Sequence, residues 1–103
     1  MSGIILKLGE HCIEGTARKF YQRLVREILE ERVSPEKAED QLALLADFLQ
    51  SVDFARLRSQ HPDLDGRKEV EVVLSRTREG FLLQWEGNRL EVRREAPRRN
   101  IES

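Results

Sequence analysis

The segment VEVVLSRTREGFLLQWEGNRLEVR, residues 70–93, decides the fold. Val70, Val72 and Leu74 alternate with charged or polar neighbours, Phe81, Leu83 and Trp85 alternate again, and Leu90 and Val92 close the series. A period of two puts each apolar set on one face of a strand. Arg78-Glu79-Gly80 and Gly87-Asn88 separate the runs with turn-forming residues, so the spacing predicts a three-stranded antiparallel meander.

Toward the N-terminus the period changes. Ala17, Phe20, Tyr21, Leu24, Val25, Ile28 and Leu29 recur at the spacing of an amphipathic helix, with Thr16 as the expected N-cap and an end near Val33. Ser34-Pro35-Glu36 then supplies a cap, a proline at the first helical position and an acid that suits the helix dipole. A second helix follows, its stripe formed by Ala38, Leu42, Leu45, Leu49 and Val52 and widened by Leu44 and Phe48. Asp53 can cap a last short turn over residues 54–60, before Pro62 and Asp63-Leu64-Asp65-Gly66 reverse the chain. Ahead of the first helix, Ile4, Leu6 and Leu8 alternate with Ile5 and Lys7 as a strand with one buried face.

These readings predict an α+β fold: a four-stranded, mainly antiparallel sheet with a helical pair on one face, in the order β-α-α-β-β-β. The chain of 103 residues bounds a single domain, residues 1–95, and residues 96–103 lack apolar rhythm and read as a flexible C-terminal tail. Expected core residues are Phe20, Leu24, Ile28, Leu45, Leu49, Val72, Leu74, Leu83 and Trp85. The opposite sheet face keeps a short apolar row, Ile5, Val73 and Leu82, a candidate association face for a homodimer.

Charged residues make up 36% and hydrophobic residues 39%, interleaved regularly enough to fold rather than stay disordered. A single cysteine cannot close an internal disulfide, and no apolar run, Ile4-Ile5-Leu6 near the N-terminus included, is long enough for a signal peptide or membrane helix. The expectation is a cytoplasmic protein without membrane partners. The net charge of −1 conceals an uneven layout, +3 over residues 1–26, −6 over 27–53 and +3 over 54–99, with Glu102 supplying the last −1. That layout does not indicate a polyanion-binding surface over the whole domain, and the acidic middle suits a basic protein partner.

Reactive groups crowd in one place, Glu10-His11-Cys12 within the loop Gly9–Thr16. A thiol beside an imidazole and near a helix start is the setting of a nucleophile or redox sensor. Adjacent residues rarely point the same way, however, and Glu10 and Glu14 oppose a thiolate, so a small buried hydrophobe is the favoured role of Cys12. Paired metal-ligand spacings are absent, and the glycine loop lacks the spacing and the lysine of a phosphate loop, so neither metal nor cofactor is expected. Asp63-x-Asp65-Gly66 is a turn rather than a calcium loop. Arg18 and Lys19 at the expected helix start are candidate anion contacts. Arg89, Arg93 and Arg94 are candidate RNA contacts, although Glu91 and Glu95 dilute their charge and a charged edge strand explains them as well.

The element order β-α-α-β-β-β resembles that of the small bacterial ribonuclease toxins of the RelE/ParE type. The resemblance is topological and spans the inferred domain. It implies RNA as a target, cut by basic, His or Tyr groups in the C-terminal part of the sheet, where this chain has no His or Tyr after His61. The residues themselves favour a regulatory or adaptor protein that binds another protein, of identity unknown from the sequence, since they contain no recognisable catalytic set and nucleic acid is the less favoured partner. An RNA-directed, toxin-like protein and a thiol-based sensor at Cys12 are the alternatives.

Overall fold

A computed structural model of the chain describes residues 3–95. Strand β1 (Ile4–Leu8) leads into helices α1 (Ile13–Leu29), α2 (Pro35–Ser51) and α3 (Phe54–Gln60). A 3-10 turn, Pro62–Asp65, then precedes strands β2 (Val70–Arg76), β3 (Gly80–Trp85) and β4 (Asn88–Arg93). The strands form one antiparallel sheet in the order β1-β2-β3-β4, with Leu6 opposite Val72, Leu74 opposite Leu83 and Leu83 opposite Leu90. This is the expected α+β arrangement.

Alternation fixes which face is covered. Ile4, Leu6, Leu8, Val70, Val72, Leu74, Phe81, Leu83 and Trp85 are all buried, against Ile13, Ala17 and Leu24 of α1, Ala38, Leu44, Leu45 and Phe48 of α2, and Phe54 and Leu57 of α3. Phe48 is the hinge of this layer, meeting Phe54 and Phe81 edge-on at centroid distances of 5.1 and 5.3 Å. Six of the nine expected core residues are buried, whereas Phe20, Ile28 and Leu49 are half-buried and pack against the margin of the core.

The boundaries depart from the sequence reading in three places. Helix α1 begins at Ile13 with Cys12 as N-cap, not at Thr16, because the fully buried Ile13 extends the apolar stripe by one turn. With that start, Glu14 occupies the first turn and pairs with Arg18 at 3.1 Å, so the helix runs less against its dipole than a Thr16 start implies. The helix also stops earlier, leaving Leu29 77% exposed. Glu31 takes a positive φ of 61°, and the amides of Glu31 and Arg32 close back on the carbonyls of Ile28 and Glu27, a Schellman ending built without glycine. The final hairpin turns through Glu86 and Gly87, with φ of 47° and 81°, rather than through Gly87-Asn88, since Trp85 pairs with Asn88. Two positive φ angles match the right-handed twist of the flanking strands. The other signals hold: Ser34 accepts from the Lys37 amide at 3.4 Å and Asp53 from the Arg56 amide at 3.2 Å. The expected tail, 96–103, lies outside the described residues.

Candidate functional site

The loop between β1 and α1 separates the groups that the sequence sets side by side. No hydrogen bond links His11 to Cys12; His11 is exposed, and its carbonyl accepts from the Thr16 hydroxyl at 3.4 Å. Cys12 is half-buried beside Arg58, whose guanidinium lies 3.9 Å from the sulfur and also pairs with Glu14 and Asp65. Glu10 is exposed and has no ion pair among the described residues. Gly66, at φ 85°, packs its Cα against the His11–Cys12 backbone so closely that any Cβ there would clash. His61 sits elsewhere, edge-on to Trp85 at 6.1 Å. Among the described residues no three of His, Cys, Asp and Glu converge as a metal site.

The basic C-terminal stretch is similarly dispersed. Arg89 and Arg93 stand on the uncovered sheet face, and Arg93 pairs with Glu79 at 3.5 Å. Arg94 points the other way and grips Asp47 of α2 through a fork, Nε to Oδ1 at 3.1 Å and an NH2 to Oδ2 at 2.6 Å. Arg76 adds a third bond to Asp47 at 2.6 Å and Ser51 a fourth at 2.9 Å. The Arg94 hydrogen bonds, against an opposing desolvation and with help from Ser51 and Arg76, hold the Asp47 carboxyl at about 2. Asp47 thus ties α2 to the ends of β2 and β4, and Arg94 also lies over the Phe81 ring at 5.3 Å.

The uncovered sheet face brings together the residues of the candidate association face. Ile5 is 51% exposed and stands directly opposite Val73; Leu82, on the next strand, lies a diagonal step away, opposite Ser75. Lys7, Glu71, Gln84, Arg89, Glu91 and Arg93 surround them with both signs of charge.

A concavity of about 490 Å³ opens at the outer edge of β1, between Ile5 and Lys7 and the exposed flank of α1. Its rim carries Lys7, Lys19, Arg23 and Arg26, none of which has an ion-pair partner among the described residues, and Arg23 covers the Phe20 ring at 4.9 Å. Of the two candidate anion contacts at the helix start, Lys19 lines this groove and Arg18 is held by Glu14. A second cleft, about 670 Å³, separates α3 from β4; Leu57, Leu90 and Val92 line it among charges of both signs.

The ladder phase exposes part of the β1 backbone to the first groove. The Thr77 amide donates to the Gly80 carbonyl at 2.9 Å, so the odd residues of β2 bond to β3 and the even ones face β1. Val70, Val72 and Leu74 therefore bond Leu8, Leu6 and Ile4, and the peptide groups of Ile5 and Lys7 point outward from the sheet.

Fold and surfaces define a small α+β protein with helices on one side of a single sheet whose outer strands, β1 and β4, have no further strand partner among the described residues. A protein-family model matches residues 2–84, and the chain belongs to that family. An uncharacterized protein of Archaeoglobus fulgidus is similar to it, 38% identical over 85 residues that cover 79% of this chain and 95% of the relative. No solved structure matches. The matched span contains β1, the three helices, β2 and all but the last residue of β3; β4 follows it. Among the described residues no helix is long and apolar enough to cross a membrane.

Sequence reasoning missed both the Asp47 clamp and the basic groove. A trace of each was visible: Asp47 interrupts the apolar run Leu44, Leu45 and Phe48, and Lys19, Arg23 and Arg26 recur at helical spacing. The missing fact in both cases was which strand lies beside which helix.

Proposed function

We propose that this protein is a non-enzymatic regulatory or adaptor protein of the cytoplasm, which acts by binding another protein and pairs with a second copy of itself through the uncovered sheet face. The observation that carries this reading is the apolar row Ile5, Val73 and Leu82 on a face without a helix layer. Burying each of these side chains contributes at most about 1.5–3 kcal/mol. The mixed charges around them suit a twofold axis, across which a lysine or arginine of one copy meets a glutamate of the other. The acidic segment 27–53 supports a basic surface on the heterologous partner.

An RNA-directed role draws less support, because Arg93 and Arg94 are occupied by Glu79 and Asp47. Light scattering tests the pairing. The wild type is expected to be dimeric at tens of micromolar and Leu82→Glu monomeric with an unchanged circular dichroism spectrum. A monomeric wild type, or a variant that stays fully dimeric, removes this face as the association site.

A further inference from the structure

We infer that the groove between α1 and the outer edge of β1 binds an extended, acidic segment of a partner protein, which adds to the sheet as a fifth strand beside β1. The inference goes beyond the proposed function by assigning a second surface, which takes an acidic segment where residues 27–53 on another part of the chain suit a basic one, and it rests on that reading only in taking protein binding as the role.

Two independent features of the groove converge on this occupant. The first is the backbone: the outward amides and carbonyls of Ile5 and Lys7 offer two donor–acceptor pairs at the two-residue spacing that another strand presents. The second is charge. Nine of the lysines and arginines among the described residues hold a carboxylate partner, and four of the others, Lys7, Lys19, Arg23 and Arg26, gather on this rim with no carboxylate in the lining. Lys19 and Arg23 are separated by about 6 Å of helix rise, close to the ~6.7 Å between alternate side chains of a strand. Acidic residues at every second position would meet them in turn.

The opposite sheet edge lacks this selectivity. Around β4 the Arg93–Glu79 and Arg56–Glu95 pairs neutralise one another, so the α3–β4 cleft has no preferred sign of partner. A single-stranded nucleic acid would also suit the cations, but it needs an open aromatic face for stacking. Of the two rings in the lining, Phe20 is half-buried and already covered by Arg23, which leaves the His11 imidazole as a single stacking surface rather than a platform for successive bases.

Fluorescence anisotropy on the full chain tests the inference with four labelled probes: a peptide of alternating Glu and Val, the same peptide N-methylated at every second residue, a peptide of alternating Lys and Val, and oligo-uridine. The Glu–Val peptide is expected to bind and to weaken about tenfold or more in Lys19→Glu with Arg23→Glu and in Lys7→Glu, each checked for folding by circular dichroism. N-methylation, which removes the strand's donors on one edge, is expected to abolish binding, and the Lys–Val peptide and oligo-uridine are expected not to bind. Three results overturn the inference: no Glu–Val binding at millimolar peptide, equal binding of the N-methylated peptide, or oligo-uridine binding at least as tight. Leu82→Glu should bind the Glu–Val peptide like wild type. A monomeric wild type that takes the peptide therefore refutes the pairing alone, and a dimer that ignores it refutes the fifth strand alone.

Discussion

Replacing Asp47 by Asn removes a charge that four hydrogen bonds converge on while keeping the side chain's shape. Arg94 and Arg76 would then face a neutral amide, and one oxygen acceptor would be lost from a site where each arginine makes a bond of 2.6 Å. A carboxyl moved from 3.8 to about 2 corresponds to a ceiling of roughly 2.5 kcal/mol. Asp47 is 23% exposed and both arginines more so, so solvent screening brings the expected loss to about 1–2 kcal/mol at neutral pH. The folded-state value lies below the unfolded one, so the contribution is complete above about pH 4.5 and drains away as pH falls through 4 toward 2. Urea unfolding of wild type and Asp47→Asn across that range should show a gap that is widest at neutral pH and nearly closed at pH 2. Other carboxylates titrate equally in the two proteins and cancel in the difference. A gap that stays constant down to pH 2, or none at pH 7, would show that the clamp contributes no charge-dependent stability. Arg94→Lys in the otherwise wild-type protein should keep only part of the clamp's contribution, since an ammonium keeps the charge but not the fork.

Leu24→Ala and Leu83→Ala should each cost roughly 2–5 kcal/mol in the same assay; near-wild-type stability in both would show that the α1 and β3 phases are misassigned. Gly80→Ala should prevent normal folding, visible as lost cooperativity in thermal unfolding, because its Cβ would collide with the Val92 carbonyl and the Arg93–Arg94 backbone. Glu31→Gly should raise stability by about 0.5–1 kcal/mol, since glycine relieves the left-handed conformation at the end of α1 at a smaller entropic cost. A loss there would mean that the Glu31 side chain makes a contact outweighing that strain.

How far the fold could be read follows from what each signal depends on. Alternation in 70–92 and the helical stripe of 17–28 are local consequences of burying one face, and they gave the sheet, its helix layer and the element order. Boundaries failed where a buried residue outside the counted stripe, Ile13, or a non-glycine in a left-handed position, Glu31 and Glu86, settled the matter. Composition alone would have placed glycine at those turns. The surfaces were legible only in part. Ile5, Val73 and Leu82 followed from alternation, whereas the groove needed β1 beside α1, and the Asp47 clamp needed residues 47, 76 and 94 in one place. Proximity in sequence misled at His11-Cys12, where the helix start turns the thiol toward Arg58 and leaves the imidazole in solvent.

Strands β2, β3 and β4 are joined by short turns, but β1 pairs with β2 across the whole helical layer, Ile4 with Leu74 and Leu8 with Val70. During synthesis, β1 is therefore made well before its neighbour and must wait for it. At about 5–20 residues per second, the roughly sixty intervening residues take about 3–12 s to appear. Throughout that interval the apolar run Ile4-Ile5-Leu6 has only the helical segment, as it emerges, to shelter it. Lys7, charged and directly after the run, is then a gatekeeper against strand-to-strand aggregation of nascent chains. In the finished protein the same late-closing seam is the place where the sheet opens first, so the amides of Leu6 and Leu8 should exchange with solvent sooner than those of Leu83 at the sheet's centre.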